Sequence, residues 1–251
     1  MLSKVEGHLR EYFTDFDGKF DAQLGRVNLT QANVDERLGT SSPYLCQVKV
    51  RYDRDLLRLM DDGMLLAVKN FRSSSGKERY TLLEVIRFWP VHFGLSAVRD
   101  YQYYPIQFEV IEQSFEDWET DDTSTMMIQL ACIPINYDLS FEKGEANFTR
   151  GFSYPIVGAQ CYILNRNLIR EMYNRSILDK MDLVLDDTCD DARLDPRLGT
   201  VKMFEAAGED IPFYIDYDAL VRYHFGIFAF TGGGKSNMLS NILRRLLLHN
   251  R

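Results

Sequence analysis

Near its C-terminal end the chain reads Phe225-Gly226-Ile227-Phe228-Ala229-Phe230-Thr231-Gly232-Gly233-Gly234-Lys235-Ser236. The first half of this stretch is an apolar run, which predicts a buried parallel strand. Three glycines and a Lys-Ser pair follow, and the apolar spacing over residues 237–249 predicts a helix directly after them. A strand, a glycine-rich loop and a helix in this order are the context of a P-loop.

The residue types of this loop suit the phosphate groups of a nucleotide. Glycine adopts backbone angles closed to other residues, so successive amide N–H groups can converge on one anion, and the helix dipole adds to the attraction. We expect Lys235 to reach the β- and γ-phosphates as the catalytic residue, and the Ser236 hydroxyl to be a ligand of Mg²⁺. The predicted ATP-binding residues are Thr231, Gly232, Gly233, Gly234, Lys235, Ser236 and Asn237.

One position departs from the general pattern G-x-x-x-x-G-K-[ST], because Ala229 stands where the first glycine is expected. Alanine is a mild change if φ at this position is negative and a costly one if φ is positive, and we expect it to be tolerated. The alternative interpretation is a glycine-rich turn that contains a lysine by chance. The strand-like run over residues 226–230 argues against that alternative.

Only residues 236–251 follow the lysine in this sequence. ATP hydrolysis also needs an acidic residue behind the magnesium, a group that orients water and often an arginine from a neighbour. We therefore expect these groups beyond Arg251, in a longer protein of which this sequence holds the front part. On the same ground, we expect these 251 residues alone to hydrolyse no ATP above background.

Composition sets the broad class of the protein. With 251 residues, of which 45% are hydrophobic and 13% aromatic, the chain can form one large or two small domains. It contains no apolar run near 18 residues and no apolar signal segment, which predicts a cytoplasmic protein without a membrane span. The formal charge of −8 argues against a simple DNA-binding module, yet it is compatible with a motor whose phosphate contacts line a central channel.

Several other residue types favour structural roles over chemistry. Six aspartates within residues 182–195 predict a solvated acidic loop or, alternatively, a surface for a basic partner. His224 is expected to be packed rather than catalytic, and Trp89 and Trp118 to anchor a core or an interface. The cysteines lack any C-x-x-C pair and are expected to be reduced core thiols: Cys46, Cys132, Cys161 and Cys189.

The order of predicted elements divides the chain into three parts. Apolar residues at helical spacing between Val5 and Phe16 predict a helical extension over residues 1–43. Residues 44–175 are expected to form a small β-barrel, and residues 176–251 the start of a RecA-like P-loop domain, so the fold class is mixed. Within the barrel, strands are predicted at residues 45–50, 64–69, 80–86, 106–111, 126–133 and 161–164. Helices are predicted at 53–60 and 168–174, and a hairpin at 199–204 with 211–215.

Three segments in this order resemble a known family: Pro155-Ile-Val-Gly158, Leu198-Gly-Thr200 and the run from His224 to Asn237. Together with the predicted barrel, they resemble the front half of HerA-type ATPases, in the HerA/FtsK branch of P-loop motors. In that family an N-terminal HAS barrel precedes the RecA-like domain. The specific part of the resemblance is residues 211–247, and the barrel part rests on strand order. Members usually carry Gly-Ala-Thr-Gly-Ser-Gly-Lys-Ser, from which Ala229, Phe230 and Gly233 depart.

The resemblance implies a homohexameric ring that binds ATP and Mg²⁺ and translocates double-stranded DNA. Such proteins work with a nuclease of the NurA kind or with another effector, in DNA repair or antiviral defence. An alternative is a structural platform that assembles an effector complex. In that case bound nucleotide would stabilise the platform without powering motion. A third hypothesis, a motor acting at a membrane, is disfavoured by the absence of a predicted membrane span.

Overall fold

The computed structural model describes most of the chain, namely residues 9–27, 46–93, 104–120, 125–142, 145–180, 197–204, 207–208 and 210–249. The chain divides into two compact units. The first comprises residues 1–165 with 203–208, and the second comprises residues 166–202 with 209–251.

Ten strands and five helices are described. The strands are β1 (Phe13–Thr14), β2 (Ala22–Val27), β3 (Cys46–Arg51), β4 (Leu65–Lys69), β5 (Arg79–His92), β6 (Met126–Glu142), β7 (Glu145–Arg150), β8 (Gln160–Leu164), β9 (Arg197–Val201) and β10 (Ile211–Tyr214). The helices are α1 (Arg54–Leu59), α2 (Tyr104–Thr120), α3 (Arg166–Lys180), α4 (Tyr217–Arg222) and α5 (Lys235–His249). None of these described helices has the length and apolarity to cross a bilayer.

The first unit is a closed β-barrel of six antiparallel strands. The strands pair in the order β8, β2, β3, β6, β5, β4, and β4 pairs again with β8, which closes the circle. The two short strands β1 and β7 attach to β8 and β6 outside this circle. Closure matters because it leaves none of the six strands with an unpaired edge. The barrel predicted from the sequence is thus confirmed.

Apolar side chains on alternate residues of the strands form the core of this unit. Strand β3 shows the pattern directly, because Cys46, Val48 and Val50 are buried while the residues between them are partly or fully exposed. Strand β4 is buried at four successive positions, which is why its sequence is a continuous apolar run. Other fully buried side chains include Leu82, Leu83, Ile128, Leu130 and Ile163. Truncating one such Leu or Ile to Ala typically costs about 2–5 kcal/mol.

Most predicted elements of this unit are confirmed, but the strand predicted at residues 106–111 is wrong. The segment belongs to helix α2, which runs for 17 residues. Its buried residues Ser114 and Asp117 stand three positions apart, which is helical spacing. The short alternation near residue 106 suggested a strand, whereas burial over the longer segment follows the helical period.

The helix predicted from the apolar spacing around residues 5–16 is not found in the described part of that segment. Residues 9–12 form turns, and Phe13–Thr14 pairs with Leu164 and Ile163 of β8. The ring of Phe13 stacks on that of Tyr162 with centroids 5.1 Å apart. Phe13 therefore serves as an aromatic anchor on the barrel, and that contact outweighs a local helical preference. Residues 15–18 form a turn, in which the Gly18 N–H donates to the Asp15 carbonyl at 3.1 Å.

The unit boundaries differ from the expected ranges. The barrel includes β2 (Ala22–Val27), which lies before residue 44, and the first unit ends at residue 165, ahead of helix α3. Residues 203–208 also belong to the first unit. There, Phe204 is buried and its ring lies 6.0 Å from that of Phe16.

Three cysteines lie in the core as free thiols, as expected: Cys46, Cys132 and Cys161. Burial raises the pKa of the Cys46 thiol to about 11 and also raises those of Cys132 and Cys161. The three side chains are therefore protonated at neutral pH and serve as small apolar residues. Cys189 lies outside the described residues.

A buried carboxylate fastens α2 to the barrel. Asp117 Oδ1 accepts a hydrogen bond from Gln113 Nε2 at 2.9 Å, and Asp117 Oδ2 accepts one from Thr125 Oγ1 at 2.8 Å. His92 Nε2 also lies 2.8 Å from Asp117 Oδ2. Both His92 and Asp117 are buried. These hydrogen bonds, first that of His92, lower the pKa of Asp117 from 3.8 to about 2.

This arrangement predicts a specific acid sensitivity. Because the folded pKa is depressed, Asp117 contributes stability that is fully present above about pH 4 and is lost as pH falls towards 2. The variant Asp117→Asn should flatten the dependence of the unfolding free energy on pH in this window, as measured by denaturant titration at several pH values. Glu116→Gln, at an exposed position of the same helix, is the matched control. Equal flattening in both variants would contradict this role for Asp117.

Candidate nucleotide-phosphate site

The glycine-rich loop lies directly before the start of helix α5. The Gly233 N–H donates to the Phe230 carbonyl at 3.0 Å, forming a tight turn, and α5 begins at Lys235. The Met238 N–H donates to the Gly234 carbonyl at 2.9 Å, which is the first bond of the helix. The N–H groups ahead of that bond have no partner within a helix, so they are available to an anion.

Two of the three glycines are required by backbone conformation. Gly232 has φ of +84° and Gly234 has φ of +77°, both in the left-handed region that favours glycine. No heavy atom lies within 4 Å of where a Cβ would stand at either residue. A side chain at these positions would therefore fit in the available space but would strain the backbone.

Ala229 does not have a positive φ. The departure from the general pattern is therefore conformationally mild, as expected from the sequence.

The loop is open to solvent along its length. Every residue from 228 to 240 is exposed, including Lys235 and Ser236. Within the described part of the chain, the Lys235 ammonium has no ion-pair partner, so it is free to meet a phosphate. The described residues contain no group of three His, Cys, Asp or Glu side chains able to hold a metal. The exposed hydroxyl of Ser236, in the first turn of α5, is an oxygen ligand of the kind that Mg²⁺ prefers, so the site fits a Mg²⁺ ion that arrives with nucleotide phosphates.

Helix α5 is tied to the neighbouring hairpin by one side chain. Asn241, in the second turn of the helix, donates through Nδ2 to the Leu198 carbonyl of β9 at 3.0 Å. The next residue, Ile242, is buried. Together these contacts hold the helix that carries the loop against β9.

A second asparagine extends this support from the hairpin to α3. Strands β9 and β10 pair antiparallel, with Ile211 opposite Val201, which confirms the predicted hairpin. Asn174 of α3 is fully buried, and its Nδ2 donates to the Pro212 carbonyl at 2.7 Å. Its Oδ1 accepts from the Tyr214 N–H at 3.0 Å. Amide side chains therefore link α3, β10, β9 and α5 through their backbones.

Neither asparagine was identified as important from the sequence. Asparagine inside a helix is unfavourable by propensity, since its side chain competes for backbone hydrogen bonds. Asn241, inside the helix predicted over residues 237–249, was thus a signal that could have been used, whereas Asn174 was the last residue of the helix predicted over 168–174 and gave no such signal. What they contact could not have been inferred, because both partners are backbone groups of other elements.

Two expectations for the segment before the loop differ from the structure. Residues 224–230 form no strand, and Phe228 and Phe230 are 94% and 93% exposed. A strand is stabilised by pairing with a neighbour, and no described strand pairs with this segment. His224 is exposed rather than packed. The acidic cluster within residues 182–195 lies outside the described residues.

A comparison with known families identifies this region. Residues 197–251 match the family model for the central domain of the helicase HerA. The matched range begins with β9 and includes the hairpin, α4, the glycine-rich loop and α5. No curated protein matches the chain. The resemblance drawn from the loop sequence is therefore confirmed.

The buried asparagine of α3 provides a test of the scaffold under the site. Asn174→Ala leaves the Tyr214 N–H and the Pro212 carbonyl buried without a partner, which should cost on the order of 1–3 kcal/mol for each group. Asn167→Ala, at an exposed position of the same helix, makes the same change of residue type and should cost less than about 0.5 kcal/mol. Thermal and urea unfolding measure both variants. Equal stability of the two would show that the buried amide contributes nothing.

Proposed function

We propose that the protein is an ATP-driven translocase of double-stranded DNA, because residues 197–251 match the family model for the central domain of the helicase HerA. The observation that carries the proposal is the junction of loop and helix. A glycine-rich turn with two left-handed glycines ends at a helix that begins with Lys235 and Ser236. Backbone donors, a helix N-terminus and a free ammonium thus meet at one exposed point.

Each residue of the loop has a distinct part in this proposal. The N–H groups at the start of α5 bind the β- and γ-phosphates, with Thr231 and Asn237 at the two ends of the loop. Lys235 contributes a positive charge near the transferred phosphoryl group. Ser236 offers its hydroxyl to the metal. Bound Mg²⁺ supplies neutralisation of the charge that develops on the phosphate oxygens.

The barrel is proposed to bind the partner that acts with the motor, a NurA-like nuclease or another effector. Its six strands are paired on both edges, which disfavours recognition by strand addition. Docking would therefore use side chains on the outer surface and in the loops. A homohexameric ring fits the formal charge of −8, because the phosphate contacts of such a ring need occupy only its channel.

The decisive experiment compares ATP hydrolysis by the full-length protein with and without double-stranded DNA. We expect DNA to stimulate hydrolysis, and Lys235→Ala to reduce the stimulated rate by roughly a hundredfold or more, because a charge that stabilises the transition state is lost. Lys202→Ala removes a lysine at an exposed position of the same matched region and serves as the control. Hydrolysis that survives in Lys235→Ala would refute the assigned site.

A second measurement on the same samples distinguishes the motor hypothesis from the platform hypothesis. Native mass spectrometry with and without Mg-ATP reports the number of protomers, which we expect to be six. A nucleotide-bound hexamer whose rate of ATP hydrolysis is the same with and without double-stranded DNA would favour the platform over the motor. A protein that binds no ATP would contradict both.

A further inference from the structure

The three glycines of the phosphate loop are present for two different reasons. Gly232 and Gly234 have left-handed backbones with open space around the missing side chain. Gly233 has no left-handed φ, so its conformation does not require glycine. A Cβ at Gly233 would instead stand 3.1 Å from the Cβ of Ala229 and 3.0 Å from the Phe230 carbonyl oxygen. Glycine is needed at residue 233 because a side chain there would meet these atoms.

These distances are too short for ordinary packing. Two carbon atoms attract best at about 3.5–4.0 Å, so a methyl group at residue 233 would fit beside the methyl group of Ala229 only if the loop shifted by a few tenths of an ångström. The general P-loop pattern has glycine at the position of Ala229 and leaves the position of Gly233 open. This chain has the reverse arrangement, because residue 229 is an alanine with a methyl group and residue 233 is a glycine with none.

We propose that Ala229 and Gly233 are a compensating steric pair that sets the shape of the phosphate loop. This inference rests on the proposed function and deepens it, because it names two positioning residues of the nucleotide site. Both act through the turn between them. The Gly233 N–H is held by the Phe230 carbonyl at 3.0 Å, and this bond precedes Gly234 and Lys235 directly.

A side chain at residue 233 would disturb the backbone directly before the start of α5. A side chain at residue 233 would move away from the Ala229 methyl group and pull the Gly233 N–H off its acceptor. The next N–H groups, which face the ligand at the helix start, would then no longer converge on one point. Small displacements of such donors weaken phosphate binding even where the protein stays folded.

A double-mutant cycle on the full-length protein tests the pair, with Mg-ATP affinity measured by calorimetric titration. Gly233→Ala alone should weaken Mg-ATP binding about tenfold or more. The same change in an Ala229→Gly background should weaken it at least about fivefold less, because the opposing methyl group is gone. Gly199→Ala is the matched control. Gly199 also lacks a left-handed φ but has nothing within 4 Å, so its substitution should change affinity by less than about twofold.

Each other outcome has a defined meaning. Binding by Gly233→Ala that equals the wild type would overturn the inference, as would equal losses in the two backgrounds, which would assign the clash to the Phe230 carbonyl alone. Recovery in the double variant is a result that general loss of folding cannot produce. Wild-type binding that is lost in Lys235→Ala upholds the nucleotide site of the proposed function independently of the pair. No Mg-ATP binding by the wild type would overturn both the proposed function and the inference.

Discussion

The pairing of β4 with β8 is the interaction on which the first unit depends. It places Leu66 opposite Ile163 and Val68 opposite Cys161, between strands about one hundred residues apart in the chain. Without it, the six strands would form an open sheet with two free edges and a half-exposed apolar face. With it, residues 65–68 of β4 are buried, together with Cys161, Ile163 and Leu164 of β8.

The second unit depends on a different kind of constraint, in which side-chain amides are hydrogen-bonded to the backbone. Its hairpin has only two strands, and such a hairpin is marginal by itself. Asn174 satisfies a carbonyl and an N–H of β10, and Asn241 satisfies a carbonyl of β9. These bonds add α3 and α5 to the hairpin. The glycine-rich loop thus precedes a helix that Asn241 fixes at a defined place on β9.

Features that depend on neighbouring residues could be inferred from the sequence, whereas features that depend on contacts between distant residues could not. The loop was recognisable because its chemistry is local, with glycines, lysine and serine in consecutive positions. The strands β3, β4 and β8 were recognisable from five or six residues of alternating or continuous apolar sequence. Residues 106–111 of α2 were mistaken for a strand, because alternation over six residues does not show the helical period that the burial of Ser114 and Asp117 follows. Phe13 was mistaken for part of a helix, because its partner Tyr162 lies on β8, far along the chain.

Residues 231–236 alone specify the class of the site, a turn of glycines before a helix that opens with Lys-Ser, because backbone freedom and side-chain charge are properties of single residues. The reason for each glycine became clear only from the folded loop. Gly232 and Gly234 are needed for their φ values, whereas Gly233 is needed because Ala229 returns to within contact distance of it. The physical reason is that a steric exclusion exists between two positions in space, and a sequence shows which residues are present but not which of them meet.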